Sequence, residues 1–463
     1  MLPWGAGRLK AESTGIAAGA AGPPWVSRLK RVLTTRRELL SVLAITLAGL
    51  LFRLLVVVFG ADPIPAPLSD SDYYHVVASN LAEGRGFSYI NGPSAFWPPG
   101  YPFFLAILYW LFWPSVKIAM VANAVAGALA ILVTYAFGRV LWGPRVGLLA
   151  AALMAALPSH IFWSAALLSE VLFTLIFIAA FWLVLESVSG ETGRVRWPAL
   201  LGFAALFAAG VVTRGQMAVL LPVALLFWWR RGVRPIVAAG MAAIPVLVTL
   251  ALVVPWSVRN TRVLNEPIIL SSNVGYNVRI GHNPDSFGRF MFPDVWPPDK
   301  VGQLSPELEV ELNREGLRRG LRYAVTSPLH EVWLSVQKVH WLYRADMDSL
   351  VWIESFSHTP LPSVELEWAY IRGIHASYYV FFTVAVLGAP LTLGIRDPRR
   401  LALLITIVLW TVFHILFFSE PRYHLPVLPI MAVMAARALL WVSDRWPELR
   451  SAVAIGPAAT GES

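Results

Sequence analysis

The run LLSVLAITLAGLLFRLLVVVF at residues 39–59 decides the fold class. At 1.5 Å rise per residue it makes a helix of roughly 30 Å, the thickness of a bilayer's hydrocarbon core. Arg53 is its one charged residue, and no small-residue cleavage site follows, so it reads as an uncleaved signal anchor. Comparable apolar runs recur at about 116–138, 146–163, 166–187, 198–213, 216–229, 236–256, 368–394, 401–418 and 424–442. The expectation is an all-α polytopic membrane protein of about 10 transmembrane helices, range 9–12. Composition agrees: 57% of the 463 residues are hydrophobic and only 14% charged, against about a quarter charged in a soluble protein. The alternation of a membrane barrel is missing.

Charge sets the orientation. The net charge of +9 is spread over short loops, which reads as topology and lipid contact and argues against nucleic acid as a partner. With the N-terminus inside, the arginine-bearing connections 139–145, 190–196, 230–234, 396–400 and 444–450 all become cytoplasmic. The expected division is a flexible basic tail at 1–38, a transmembrane module at 39–256 with an outer loop at 60–115, an outer loop at 257–367, C-terminal helices at 368–442, and a cytoplasmic tail at 443–463. Residues 101–113 are too short to span and predict a juxtamembrane helix. So do residues 328–343, where Leu329, Val332, Trp333, Val336 and Val339 share one face. Ser305-Pro306-Glu307 predicts the start of another outer helix. The chain has no cysteine, which excludes disulfides, thiolate metal sites and cysteine nucleophiles.

Under this topology three polar clusters and one acid share the outer side. The stretch PLSDSDYY at 67–74 carries Asp70, Asp72 and Tyr74, and leads to Trp97-Pro98-Pro99-Gly100-Tyr101. Arg259, Asn260 and Asn277 follow the seventh run, Arg422, Tyr423 and His424 lie between the last two, and Glu170 opens the fourth. An outer-face sugar transfer would draw on a donor whose phosphate is carried on a polyprenyl tail. A carboxylate must then take the acceptor hydroxyl's proton, and guanidinium groups must meet the departing phosphate. Asp70 fits the base and Arg259 with Arg422 the phosphate clamp, with Tyr74 and His424 beside them. Trp97, Tyr101, Asn260, Asn277 and Tyr423 are candidate cavity residues, and Asp72 a second candidate acid. Each has a plainer reading. Asp70 suits a helix cap, Asp72 a first-turn acid and Glu170 a satisfied polar helix end. Arg259 suits a snorkelling anchor, and Arg422 with His424 the end of a hairpin. Two carboxylates without clustered partners make a poor metal site, so no cofactor is expected.

The pattern Asp70-x-x-x-Tyr74-x-x-x-Ala78, Asn80-Leu81-Ala82-x-Gly84-x-Gly86-Phe87 and Pro98-Pro99-Gly100-Tyr101-Pro102 resembles the first outer loop of glycosyltransferase family 39. That group, within the GT-C superfamily, holds the protein mannosyltransferases and the aminoarabinose transferases. Pro255-Trp256-x-x-Arg259-Asn260 and Arg422-Tyr423-x-Leu425-Pro426-x-x-Pro429 resemble its later landmarks. The resemblance implies a GT-C-type bundle and an inverting glycosyltransferase in the plasma membrane. It further implies a polyprenyl-phosphate sugar donor, a glycan, lipid or protein acceptor, Asp70 as catalytic base and Glu170 near the cavity. Trp97 stands where the aminoarabinose transferases carry a lysine, which argues against their substrate. The competing reading is a transporter or flippase for a lipid-linked or polar solute, which would concentrate its ionisable residues at mid-membrane. An assembly scaffold would have no need to gather Asp70, Arg259 and Arg422 on one side.

Overall fold

A computed structural model describes residues 35–60, 69–190, 193–297, 303–344, 348–355 and 363–454. The expected flexible tail at 1–38 and the end of the expected cytoplasmic tail lie largely outside these residues, as do Pro67 and Leu68. Met1–Leu40 and Ser41–Ser463 form separate units, and the second holds the helical bundle from Ser41 onward.

The regular structure of the described chain is helical apart from two short antiparallel ribbons, Ser88–Tyr89 with Gly92–Pro93 and Val188–Ser189 with Arg194–Val195. Each expected span has a helix. The first is α1, Arg36–Leu55, whose last residues continue as a π turn, Val56–Gly60. Two helices follow, α2 (Asp70–Ala82) and the short apolar α3 (Gly100–Leu111), in the stretch expected to form an outer loop. The central layer comprises α4 (Val116–Trp142), α5 (Pro144–Ala156), the short α6 (Pro158–Phe162), α7 (Glu170–Glu186), α8 (Trp197–Thr213), α9 (Leu220–Arg230) and α10 (Pro235–Leu264). Helices α11 (Val274–Gly281), α12 (Pro306–Thr326), α13 (Pro328–Tyr343) and α14 (Asp348–Ser355) come next, in the second expected outer loop. The spans α15 (Val364–Thr392), α16 (Pro398–Ile415) and α17 (Leu428–Ala454) complete the described chain. Six of these helices are long and apolar enough to cross a membrane, or seven if one bent pair counts as a span. The chain is therefore a multi-pass membrane protein.

Two expectations need correcting. The expected span 146–163 is broken: its two halves meet at a 64° bend. Pro158 is the cause, because it disfavours helical geometry at the residue before it and Leu157 turns extended, at φ −71° and ψ 112°. The expected span 236–256 does not stop there. α10 runs on to Leu264, so Trp256, Arg259 and Asn260 stand on a rigid helix rather than in a loop.

The outer helices follow ordinary end signals. Ser305 caps α12 by accepting from the Leu308 N–H at 3.3 Å, as its position before Pro306 and Glu307 predicts. Helix α13 keeps Leu329, Val332, Trp333 and Val336 exposed while Leu334, Lys338 and Leu342 are buried. Lys338 is fully buried, donating to the Ile415 carbonyl at 2.9 Å, and burial lowers its pKa to about 8. Helix α11 lies so close to α12 that a Cβ on Gly275 would stand 1.8 Å from the Asn313 carbonyl oxygen, and only glycine fits.

Candidate active site

Asp70 begins α2, yet the cap is Ser69, whose Oγ accepts from the Asp72 N–H at 3.2 Å. The Asp70 carboxylate is thereby left for a distant partner. Its Oδ2 accepts from Arg422 Nη1 at 2.9 Å, joining residues from opposite ends of the chain. Arg422 is held by a 3₁₀ turn, Pro421–Val427, that leads into α17 and packs on α7. From α7 comes Glu170, 3% exposed on its side chain, whose Oε1 lies 3.6 Å from Arg422 Nε. The same oxygen lies 2.9 Å from Nη1 of Arg214, which also donates to Ser169 Oγ at 3.0 Å. Two acids and two guanidiniums thus alternate, Asp70–Arg422–Glu170–Arg214, with a formal charge of zero. Tyr423 offers its ring to both arginines, at 5.4 Å for Arg422 and 5.3 Å for Arg214. Trp352 of α14 covers Arg422 at 5.4 Å and donates to Ser71 Oγ at 3.3 Å.

Arg214 is the residue that reading the sequence missed. It sits in the short connection between α8 and α9, on the outer side under the expected topology, where positive charge is disfavoured. An arginine in a two-residue gap between apolar runs on that side was the available signal.

Tyr74 packs edge-on to Tyr101 at 4.9 Å and lies 6.2 Å from Trp97. Burial first, and then the Asp70 carboxylate, push its phenol above the ordinary value, so it stays a proton donor. Other expected site residues are engaged elsewhere. Asp72 accepts from the Tyr89 hydroxyl at 2.5 Å. His424 is fully buried, its Nδ1 2.8 Å from the Leu342 carbonyl and its ring stacked on Tyr378 at 4.9 Å, which makes it packing between α13 and α15. Tyr101 and Asn260 are fully buried and so do not line an open cavity. Tyr101 donates to Asn123 Oδ1 at 3.3 Å, and Asn260 accepts from Arg259 at 3.1 Å. Asn277 is half-buried on α11.

Arg259, expected beside Arg422 at the phosphate, fastens the first outer loop instead. Its Nη1 donates to the Ser94 carbonyl at 2.6 Å and its Nη2 to the Phe87 carbonyl at 2.5 Å. The guanidinium lies over the rings of Phe87 and Trp256, at 5.5 and 5.0 Å. Those carbonyls lie in a loop with few ladder partners, and a fork of donors on a rigid helix satisfies them.

From the other side the same loop is pinned by Glu309 of α12. Its carboxylate accepts from Ala95 N–H at 2.9 Å, from Ser272 Oγ at 2.8 Å and from Ser94 Oγ. Burial raises its pKa to about 7 from an ordinary 4.5. The folded state therefore binds this proton more tightly than the unfolded chain. Its contribution to stability is full below about pH 4.5 and is lost as pH rises to about 7. Over that window the loss is about 3 kcal/mol. A thermal-shift series in detergent should show the melting temperature falling from pH 4.5 to 7, and Glu309→Gln should flatten that slope; equal slopes would remove Glu309 as its source.

Likeness to solved structures gives the class: the helical bundle has the GT-C glycosyltransferase fold, the one its loop motifs resemble. Residues 97–258 match the family model of the dolichyl-phosphate-mannose-protein mannosyltransferases. Among solved structures the chain is similar to the oligosaccharyltransferase AglB from Archaeoglobus fulgidus in complex with an inhibitory peptide and a dolichol-phosphate. That similarity has a TM-score of 0.52 and 14% identity, over 92% of this chain and 53% of that one. It is similar also to the same archaeon's oligosaccharyltransferase in complex with Zn and sulfate, with a TM-score of 0.51 and 16% identity, over 90% and 52% of the two chains. A structure of ArnT from Cupriavidus metallidurans bound to undecaprenyl phosphate matches at a TM-score of 0.47 and 15% identity, over 89% and 63%. The chain thus spans about half the length of the oligosaccharyltransferases it matches. No curated protein matches it in sequence.

Proposed function

We propose that this chain is an integral-membrane glycosyltransferase that moves a sugar from a polyprenyl-phosphate donor to an acceptor hydroxyl on the non-cytoplasmic face, with inversion at the anomeric carbon. The observation that carries the reading is the Asp70–Arg422–Glu170–Arg214 chain. Asp70 takes the proton of the acceptor hydroxyl as its oxygen bonds to the anomeric carbon. The bond from that carbon to the phosphate oxygen breaks, and its electron pair leaves with the lipid phosphate. Arg214 and Arg422 face the leaving group.

The ion pairs make the timing favourable. A phosphodiester arrives with one negative charge and departs as a monoester with two. Protonation of Asp70 removes the counter-charge that held Arg422, at the moment the phosphate gains its own. Glu170 keeps the two guanidiniums together throughout, with its buried Oε1 between them. The two arginines supply the positive charge in this proposal, and it calls on no metal.

The test is transfer by the purified chain from a panel of radiolabelled polyprenyl-phosphate sugars, with and without EDTA. Label should pass from at least one donor equally in both arms. Uptake of intact lipid-linked sugar into vesicles without cleavage would instead support a flippase.

A further inference from the structure

Near Asp70 stands a wall of rings that the proposed chemistry leaves unused. Phe96 is buried at its centre, with ring centroids 5.7 Å from Trp97, 5.7 Å from Tyr276 and 6.4 Å from Trp296. Tyr276 and Trp296 meet edge to face at 5.6 Å. Trp97 and Trp296 are half-buried, so their ring faces and edges are partly open. The wall adjoins the base: Trp97 lies 6.2 Å from Tyr74, which stands one turn from Asp70 on α2.

The backbone of this wall is already spent. The Ser94 carbonyl is taken by Arg259, the Ala95 N–H by Glu309, the Ala95 carbonyl by the Ser272 N–H and the Phe96 N–H by Ser94 Oγ. A peptide recognised in extended form needs free backbone donors and acceptors to pair with. From the Ser94 N–H to the Phe96 N–H it would find every backbone group already paired, and beyond them aromatic faces. A sugar ring needs the reverse: a flat apolar surface for its C–H face and a few polar groups at the edge for its hydroxyls. The side-chain amide of Asn277 and the indole N–H of Trp97 make no hydrogen bond among the described residues, and they stand beside Tyr276 and Phe96 in the chain.

We infer that the acceptor is a carbohydrate, whose terminal ring stacks on Trp97 and Trp296 and presents a hydroxyl to Asp70. The inference rests on the transferase reading and assigns the half of the site which that reading leaves open. Inversion requires the acceptor to enter opposite the departing phosphate. The arginine pair marks the phosphate side, so the rings next to the base belong to the acceptor. The acceptor oxygen forms its bond to the anomeric carbon, gives its proton to Asp70, and becomes the new glycosidic oxygen.

The experiment uses the full chain in nanodiscs, a donor that wild type turns over, and two acceptor sets: short oligosaccharides and serine- or threonine-bearing peptides. Label should pass to oligosaccharides and not to peptides. Trp97→Ala and Trp296→Ala should each raise the acceptor KM about tenfold while donor KM and binding of undecaprenyl phosphate stay within twofold. Phenylalanine at either position should recover most of the loss, which a merely misfolded variant would not permit. Labelling of peptides, an unchanged acceptor KM in both alanine variants, or a rise in donor KM instead would overturn the inference. Failure of wild type to bind undecaprenyl phosphate or cleave any donor would remove the transferase reading itself, a distinct result.

Discussion

Asp70→Asn should lower transfer by about 10²- to 10⁴-fold, the usual contribution of a positioned general base. The variant keeps the side chain's shape, and its amide oxygen still accepts from Arg422 Nη1, so the 2.9 Å contact survives as a neutral hydrogen bond. Ser69 provides the cap of α2, so the helix loses only a first-turn charge, about 0.3–1 kcal/mol. Binding of undecaprenyl phosphate should be retained or tightened, because one negative charge leaves a ring that must receive a phosphate. Turnover within tenfold of wild type, with lipid binding intact, would remove Asp70 from the chemistry.

The arginine pair should show the second large effect. Arg214→Ala should cost about 10²- to 10³-fold in kcat, the scale for deleting one donor to developing negative charge. It also strips Glu170, 3% exposed, of its nearer partner and leaves only Arg422 at 3.6 Å, so stability falls by at most about 3–5 kcal/mol, the scale for breaking a buried pair. Arg422→Lys separates the two causes. Lysine keeps the charge but cannot reach Asp70 Oδ2 and Glu170 Oε1 with two arms of one planar fork. It should therefore lose most of the turnover while remaining folded. Wild-type kcat in folded Arg422→Lys would make this arginine a hairpin fastener rather than a phosphate contact.

Much of the fold was legible in residues because hydropathy reports burial in lipid directly. The run 39–59, the start of α12 at Pro306 and the exposed stripe of α13 all follow from local pattern. The bend at Pro158 was hidden because both halves of the broken helix are apolar, and hydropathy does not register direction. The site was half legible for a related reason. Asp70, Glu170 and Arg422 announce themselves as charges beside apolar runs. What each charge touches depends on backbone groups brought in from elsewhere. Arg259 and Arg214 look alike in sequence, yet loop carbonyls from Phe87 and Ser94 claim one, and a buried acid claims the other.

Helix α17 is the last described span to leave the ribosome, and its helical stretch Pro421–Trp446 has 72% of its apolar window inside the protein, against 22% for Arg36–Phe59. The translocon therefore releases into the lipid a series of earlier spans that lack their most buried neighbour until this one arrives. Arg422 travels at its head, so a nascent chain stalled before that point holds an acid pair without its bridging cation. Under the proposed chemistry, competence is then a late event in biogenesis, completed only when Arg422 reaches Asp70 and Glu170.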